Sequence, residues 1–300
     1  MSAVTSILFD APGPKARLRH RVLTVVGALA IAALLLVLIR ELAAKDQLTA
    51  AKWEPFLDPV TWTSYLLPGL KGTLVAAFYA VILGLVLGIA LGMGRLSNVR
   101  PIRWACGAFV EFFRAVPVLM MMLFAYYVFL FGFQISGDNL SLYGVVAGLT
   151  FYNASVIAEL IRSGVGSLPQ GQREAGLAIG LTPFSTLWHI LLPQAVTLML
   201  PSIISQLVVI LKDSALGFLI LYEELIRSGQ TLASSKGNLI PTFLVIAVIF
   251  IVVNYTLTLV ARRLERRLQR SRRGTKPPPE DPMLNPAMMP AAAEATAPSR

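Results

Sequence analysis

Residues 72–93 read GTLVAAFYAVILGLVLGIALGM, an uncharged stretch that lies between Lys71 and Arg95. A helix needs about 20 largely apolar residues to cross the hydrocarbon core of a bilayer. Because lipid offers no hydrogen-bond partners, the backbone N–H and C=O groups of such a segment must pair with each other, as they do in a helix. This stretch therefore predicts a membrane-spanning helix.

Five further stretches have the same apolar character, and we interpret each of them as a span. They lie at residues 22–39, 115–137, 142–158, 190–211 and 239–260. The helix that contains the second of these is predicted to begin near Ile102, which would bring Glu111 and Arg114 into the membrane. The first stretch is longer than the apolar core of a secretory signal, about 7 to 15 residues, so we do not interpret it as a cleaved peptide.

The composition of the chain agrees with a membrane protein. Of its 300 residues, 56% are hydrophobic and 14% are charged, whereas soluble domains carry about 25% charged residues. The net charge of +10 comes from basic residues near the two ends, a distribution that favours membrane orientation over nucleic-acid binding. With one cysteine, Cys106, and two histidines, we expect no intrachain disulfide and no metal site.

The basic residues also predict the orientation of the spans. They lie before the first span, after the second and after the sixth. The connections between the first and second spans and between the third and fourth contain acidic residues. The basic residues are Lys15, Arg17, Arg19 and Arg21, then Arg95, Arg100 and Arg103, then Arg262, Arg263, Arg266, Arg267, Arg270, Arg272 and Arg273. Lys and Arg accumulate in cytoplasmic loops. We therefore expect six spans with both termini in the cytoplasm.

These boundaries predict an all-α integral membrane protein with six transmembrane helices. Its predicted parts are a cytoplasmic segment (1–21), an extra N-terminal span (22–39), an extracytoplasmic loop (40–68), a five-helix core (69–263) and a cytoplasmic tail (264–300). The tail begins with basic residues that would contact anionic membrane lipid. It continues with a segment rich in Pro and Ala that we expect to be disordered.

The connection between the fourth and fifth spans contains the most specific pattern in the chain. From Gly171 it reads GQREAGLAIG, followed by nine residues and then by ILLP, which ends at Pro193. Helical pieces that are broken at Gly180 and Pro183 predict a compact helix-turn-helix. Four small residues are expected to leave room for the side chains of a partner protein to approach the backbone: Ala175, Gly176, Ala178 and Gly180.

This pattern resembles the cytoplasmic loop signature of permease subunits of ABC importers: Glu-Ala-Ala, three residues, Gly, nine residues, then Ile-x-Leu-Pro. The resemblance implies that residues 162–193 form a coupling loop whose helix docks into a groove on a separate ATPase. One position departs from the signature, where Gly176 stands for the second alanine. The matching residues are Glu174, Ala175, Gly180, Ile190, Leu192 and Pro193.

Further segments resemble the polar amino-acid branch of these permeases. The sequence EFFRAVPVL from Glu111 is similar to the branch sequence Glu-x-Phe-Arg-Gly-Thr-Pro-x-Leu, and AELIRSGV from Ala158 is similar to the approach to the coupling loop. The extra first span is similar to that of glutamate-uptake permeases of Gram-positive bacteria. The resemblance covers about residues 69–263 and implies a bacterial plasma-membrane importer for polar amino acids, with glutamate or a close relative as the cargo.

The resemblance also implies partner proteins: a second permease, identical or homologous, a cytoplasmic ATPase dimer and an extracellular amino-acid-binding protein. The chain has no Gly-x-x-x-x-Gly-Lys-[Ser/Thr] phosphate loop. We therefore expect ATP and Mg on the ATPase, and neither a cofactor nor a catalytic residue on this chain, which is predicted not to be an enzyme. The alternative is an ion-gradient-driven secondary amino-acid transporter, although the internal repeats expected of that class are not apparent.

Seven polar residues in or near the spans are candidates for the substrate path, because charges in a membrane are costly and usually functional. Glu111 and Arg114 are three residues apart and so can pair on one helical face. They would either line the path of a zwitterionic amino acid or form a structural ion pair near the cytoplasmic face. Lys212 and Asp213 would either face the cargo or dock a binding protein. The full set is Glu111, Arg114, Asn153, Glu159, Arg162, Lys212 and Asp213.

Overall fold

The structure is a computed structural model that describes residues 13–273. All regular elements in this part of the chain are helical. Short 3-10 or π-helical turns at Glu54–Leu57, Trp62–Leu66, Val128–Gly132, Leu187–Leu191 and Ser214–Ile220 connect or extend the α-helices. The α-helices are α1 (Pro14–Ala44), α2 (Ala50–Trp53), α3 (Pro59–Thr61), α4 (Leu67–Arg95), α5 (Arg100–Ala115), α6 (Val118–Tyr127), α7 (Leu140–Gly166), α8 (Gln170–Ala178), α9 (Pro183–Thr186), α10 (Leu192–Asp213), α11 (Leu225–Lys236) and α12 (Leu239–Arg273).

Five helical segments of the described chain are long and apolar enough to cross a membrane. They are Lys15–Ala44, Pro59–Arg95, Leu140–Gly166, Pro183–Ile220 and Leu239–Arg263. A sixth span results if the bent pair Arg100–Ala115 and Val118–Gly132 is counted as one. The predicted all-α membrane fold is therefore confirmed.

The third predicted span is not the continuous helix that the sequence led us to expect. Its two halves meet at an angle of 104°. Val116 has extended backbone angles, φ −84° and ψ 130°, because a residue that precedes a proline avoids the helical region. Pro117 has no N–H to continue the ladder. Glu111 and Arg114 consequently lie in a separate helix that ends just before the bend.

The chain divides into two compact units, of which unit 1 comprises the described residues up to Tyr79, Leu119–Gly148 and Leu211–Val252. A helix that was not predicted from the sequence, α11, forms its centre. Leu225 and Leu232 of α11 are buried against Leu66 and Ile246. The close approach requires Gly72, since a Cβ there would lie 2.0 Å from a backbone oxygen of the α11 lead-in.

Glu224 caps the N-terminus of α11 and is fully buried. Its carboxylate accepts hydrogen bonds from the backbone N–H groups of Ile226, at 2.9 Å, and Arg227, at 2.7 Å. Burial is the largest influence and raises the pKa of this carboxyl to about 7. The two N–H donors lower the pKa, but by less than burial raises it. Burial also raises the pKa of the neighbouring Tyr222 to about 12, and its hydroxyl donates to the Gly72 carbonyl at 2.8 Å.

Glu224→Gln is expected to flatten the pH dependence of stability in this unit. A carboxyl whose folded pKa exceeds its unfolded value of 4.5 favours folding below pH 4.5 and loses that contribution as the pH rises through about 7. The amide keeps an acceptor oxygen and does not ionise. The free energy of unfolding should therefore differ less between about pH 5 and about pH 8 in this variant than in the wild type, by up to about 3 kcal/mol. Thermal unfolding of the purified proteins at the two pH values measures this difference.

The exposed neighbour supplies the control for this measurement. Glu223 is solvent-accessible, so Glu223→Gln should leave most of the pH dependence in place. Equal slopes for wild type and Glu224→Gln would contradict the proposed role of the buried carboxyl.

Unit 2 comprises Ala80–Val118, Leu149–Ile210 and the described residues from Val253 onwards. In it, α4 packs directly against α7 because glycines of α4 face isoleucines of α7. A Cβ on Gly88 would lie 2.8 Å from Ile157, and one on Gly92 would lie 3.1 Å from Ile161. Small residues allow membrane helices to approach in this way. The contact brings Arg95, at the end of α4, next to the polar half of α7.

The two ends of the described chain differ from the predicted boundaries. Helix α1 begins at Pro14 and so includes part of the segment predicted as an N-terminal extension, and its apolar window has no residues buried within the chain. Helix α12 continues to Arg273, beyond the predicted end of the core at residue 263. Residues 1–12 and the predicted disordered segment from 274 onwards lie outside the described residues.

Candidate functional site

Five charged side chains of unit 2 form a connected charge cluster, defined here as Arg95, Glu111, Arg114, Glu159 and Arg162. Glu159 is its hub. Arg95 Nη1 donates to Glu159 Oε2 at 2.7 Å, and Arg162 Nε donates to Glu159 Oε1 at 3.1 Å. Arg114 Nη1 lies 3.6 Å from Glu159 Oε2. One carboxylate of α7 thus faces arginines from three helices.

The predicted pair of Glu111 and Arg114 exists, but it is the loosest contact in the cluster, at 4.0 Å. Each residue lies closer to a partner on another helix. Arg95 Nη2 donates to Glu111 Oε1 at 3.0 Å, and Arg114 lies nearer to Glu159. Arg95 was not among the residues predicted for this site, because its place at the end of a span indicated only the orientation of that span.

The charge cluster has a buried side and an open side. The side chains of Arg95 and Glu159 are 13% and 20% exposed, whereas those of Arg114 and Glu111 are 39% and 64% exposed. The buried pair belongs to α4 and α7, and the open pair belongs to the last turns of α5. Arg162 of α7 is 47% exposed as well, so a molecule that entered from the open side would meet two cations and one anion first.

Asn153, another predicted path residue, pairs with a residue that the sequence did not single out. Gln206 Nε2 of α10 donates to Asn153 Oδ1 at 2.6 Å, and Asn153 Nδ2 donates to the Leu149 carbonyl at 2.7 Å. Asn153 is fully buried. Two amides that bond across apolar helices stabilise their contact, since an unpaired amide in this environment would be costly.

Lys212 and Asp213, the remaining predicted path residues, end α10 in unit 1. Lys212 is exposed and Asp213 is half-buried. Among the side chains that the structure describes, no ion pair joins Lys212 to Asp213 or links either of them to another residue.

The segment between α7 and α10 has the two short helices predicted from the sequence. Helix α8 ends at Ala178, and the chain then turns at Gly180, whose φ of +84° favours glycine. Helix α9 begins after Thr182, whose Oγ1 accepts from the Ser185 N–H at 3.1 Å. From α9 the helix continues without interruption through a π-turn into α10.

The residues of the loop signature divide into an inward and an outward group. Gly176 points inward: a Cβ there would lie 2.6 Å from Thr186 Cγ2 and 3.1 Å from Ile190 Cδ1. The expectation that Gly176 leaves room for a partner is therefore wrong, because α9 occupies that room. Leu192 is buried against Ile157 and Ile161. These residues, together with the half-buried Pro193, anchor the segment to the helices below it.

The outward group is exposed and includes large apolar side chains. Glu174 and Ala175 lie on the exposed side of α8. Phe184 and Trp188 stack with ring centroids 6.4 Å apart and planes 10° from parallel. We call the exposed apolar side chains of this segment the coupling surface, which consists of Leu177, Ile179, Phe184 and Trp188.

The remaining question is whether the described residues form a metal site or give Cys106 a chemical role. No group of three or more His, Cys, Asp or Glu among them is placed to hold a metal ion. Cys106 packs against the backbone at Gly94, where a Cβ would lie 2.3 Å from its sulfur. It therefore fills space between α4 and α5, as a small apolar residue would.

The described chain thus combines membrane-spanning helices with an ordered helix-turn-helix between two of them. The sequence of residues 80–270 matches the family described as binding-protein-dependent transport system inner membrane component. The chain belongs to this family. It is therefore a multi-pass permease subunit and not an enzyme, and the alternative of an ion-gradient-driven secondary transporter is excluded.

Individual relatives agree with the family. The chain is 52% identical to the glutamate transport system permease protein GluD of Corynebacterium glutamicum, over 75% of this chain and 82% of that protein. It is 35% identical to the probable glutamine ABC transporter permease protein GlnP of Bacillus subtilis, over 67% of this chain and 93% of that protein. Both relatives are named as permease proteins.

Solved structures confirm the fold. The chain is similar to the crystal structure of an amino acid ABC transporter with histidines, with a TM-score of 0.63, 28% identity, and coverage of 71% of this chain and 98% of that chain. It is also similar to the MetNI methionine ABC transporter, with a TM-score of 0.57, 22% identity, and coverage of 70% and 98%. These structures cover about 70% of the chain and have the importer fold that was predicted for its core.

Proposed function

We propose that this chain is the permease subunit of an ATP-driven importer of glutamate in a bacterial plasma membrane. The observation that carries the proposal is the 52% identity to a glutamate permease over three quarters of the chain. The charge cluster supports it, because three arginines and two glutamates leave one positive charge. An excess cation favours an anionic cargo over a cationic one.

Uptake by the reconstituted transporter tests this function. The permease would be co-expressed with its ATPase and placed in proteoliposomes with the binding protein outside and ATP inside. We expect glutamate accumulation that requires ATP and persists when ionophores dissipate ion gradients. Accumulation of another amino acid with no uptake of glutamate would overturn the choice of cargo. Uptake that needs an ion gradient and no ATP would overturn the mechanism.

We infer that the coupling surface docks the cytoplasmic ATPase. Soluble surfaces rarely expose several large apolar side chains side by side unless they bind a partner. Ile179 and Phe184 are 75% and 66% exposed, although the segment that carries them is ordered and anchored by inward residues. Glu174 lies on the exposed side of α8 and would add a polar contact at the edge. ATP and Mg belong to that partner chain.

The remaining partners follow from the incompleteness of one permease. A single bundle of five core helices provides half of a translocation path, so a second permease, identical or homologous, would complete it around a two-fold axis. An extracellular binding protein would deliver glutamate. Lys212 and Asp213 are candidates either to contact this protein or to face the cargo, because both lie near one end of a span.

The open side of the charge cluster is the candidate entry to the substrate path. Glu111 and Arg114 expose opposite charges on adjacent turns of one helix, which suits the ammonium and carboxylate groups of an amino acid. Glu159 and Arg162 hold the opposite wall, and Asn153 stabilises the helix contact beside it.

The proposed orientation places both termini and the coupling surface in the cytoplasm, and cysteine labelling tests it. In a Cys106→Ala background, Asp138→Cys should react with an impermeant maleimide in intact cells. Gly171→Cys should react only after permeabilisation. Both positions are exposed, so accessibility depends on the side of the membrane alone. The reverse pattern of labelling would overturn the orientation.

A further inference from the structure

The three arginines of the charge cluster are not equally committed to their partners. Arg95 makes a hydrogen bond to each of the two glutamates, at 2.7 and 3.0 Å. Arg162 donates to both carboxylate oxygens of Glu159. Among the side chains that the structure describes, Arg114 makes no hydrogen bond, and its nearest carboxylate oxygens lie 3.6 and 4.0 Å away. It is therefore the arginine of the cluster that is held least tightly by the two glutamates.

The hub carboxylate cannot supply what Arg114 lacks. Glu159 already accepts from Arg95 and from two nitrogens of Arg162. Glu111 is held by Arg95 through one of its oxygens. Two carboxylates thus serve three guanidiniums, each of which is satisfied best by a carboxylate that accepts two parallel N–H bonds. The cluster is short of one carboxylate.

We propose that the guanidinium of Arg114 binds a carboxylate of the cargo, which takes the place of Glu159 as its partner. The inference rests on the proposed import of glutamate and assigns one of its groups to one residue. Glu159 does not become unpaired by this exchange, because Arg95 and Arg162 remain on it. Arg95 acts as a positioning residue, since it fixes both glutamates and leaves Arg114 free.

The exposure of the three arginines agrees with this division. The side chain of Arg114 is 39% exposed, compared with 13% for Arg95. Arg162 is also accessible, but its fork is occupied by Glu159. Arg114 lies in the last turn of α5, two residues before the break at Val116, where a side chain can reach beyond the helix end. A ligand carboxylate added here brings the three cations and two anions into balance.

Direct binding to the permease–ATPase complex, purified without the binding protein, tests the assignment. Glutamate, glutamine and 4-aminobutyrate would each be titrated, because glutamine lacks the side-chain carboxylate and 4-aminobutyrate lacks the α-carboxylate. We expect Arg114→Gln to weaken glutamate binding roughly 10- to 100-fold, the usual cost of a lost charge-assisted contact. The affinity of Arg114→Lys for glutamate should lie between those of the wild type and Arg114→Gln. Arg103→Gln, an exposed arginine on the same helix, should bind as wild type does.

The analogues identify which carboxylate Arg114 contacts and exclude a structural effect. If it binds the side-chain carboxylate, Arg114→Gln should leave glutamine binding unchanged. If it binds the α-carboxylate, the variant should leave 4-aminobutyrate binding unchanged. Equal weakening for all three compounds, or none for glutamate, would overturn the assignment. Thermal unfolding of the ligand-free variants shows whether the cluster remains folded.

Failure of this inference is distinguishable from failure of the proposed function. If the wild-type complex transports glutamate with its binding protein but binds none without it, the Arg114 site is wrong and the importer function stands. If ATP-dependent glutamate uptake itself is absent, the proposed function is wrong.

Discussion

Ile179→Asp and Phe184→Asp are each expected to abolish ATP-driven uptake while the amount of folded permease stays the same. Both side chains are mostly exposed, so the substitutions disturb little within the chain apart from the stacking of Phe184 on Trp188. In the assembled transporter, a carboxylate would be buried against the ATPase without a partner, which costs several kcal/mol. Central interface side chains contribute about 2 kcal/mol or more, so ATPase association should weaken roughly 30-fold or more.

Co-purification of the ATPase in mild detergent measures this effect, and Leu57→Asp provides the matched control. Leu57 is at least as exposed as Ile179 but belongs to the segment that we place on the opposite side of the membrane. It should retain the ATPase fully. Undiminished co-purification with both Ile179→Asp and Phe184→Asp would remove the basis for the coupling surface.

Glu159→Gln is expected to eliminate most of the folded protein. The substitution leaves the mostly buried Arg95 without its closest carboxylate partner, whereas Arg162, at 47% exposure, can turn towards solvent. Breaking such a pair from one side costs about 3 to 5 kcal/mol, a large fraction of a typical stability of about 5 to 15 kcal/mol. The yield of monodisperse protein after detergent extraction measures the loss.

Two comparisons separate this structural role from a local effect of the amide. Glu111→Gln should cost less, because that carboxylate is mostly exposed and has one hydrogen-bonded partner. Adding Arg95→Gln to Glu159→Gln should recover part of the yield, because it removes the cation that is stranded away from solvent. A wild-type yield from Glu159→Gln alone would show that the hub is dispensable for folding.

The features that could be predicted from the sequence were local ones. The apolar stretches predicted the spans because each can be recognised within about 20 residues. The breaks at Gly180 and Pro183 were also predicted locally, and the structure has a glycine with positive φ at Gly180 and the start of α9 at Pro183. The pairing of Glu111 with Arg114 was predicted from their i, i+3 spacing alone.

The features that could not be predicted depend on contacts between distant segments. Arg95 and Glu159 are 64 residues apart in the chain, and Gln206 is 53 residues from Asn153. Their meeting depends on how α4 and α10 pack against α7, which a single sequence does not specify. Helix α11 was missed because its sequence is too polar for a span, although Glu224 before it and Gly237 after it are recognisable caps.

The uninterrupted helix from Pro183 to Ile220 has a mechanical consequence. Within unit 2 it extends from Pro183 to Ile210, and at 1.5 Å per residue this part is roughly 42 Å long. One end of this part belongs to the coupling segment. A push on Phe184 would reach the far end without slack, since no loop lies between them to absorb it. Pro201 has no backbone N–H, so one helical hydrogen bond is missing and the helix is more easily bent at this residue. A movement of the ATPase against the coupling surface would thus be transmitted along one helix, and Pro201 is the position at which that helix bends most easily.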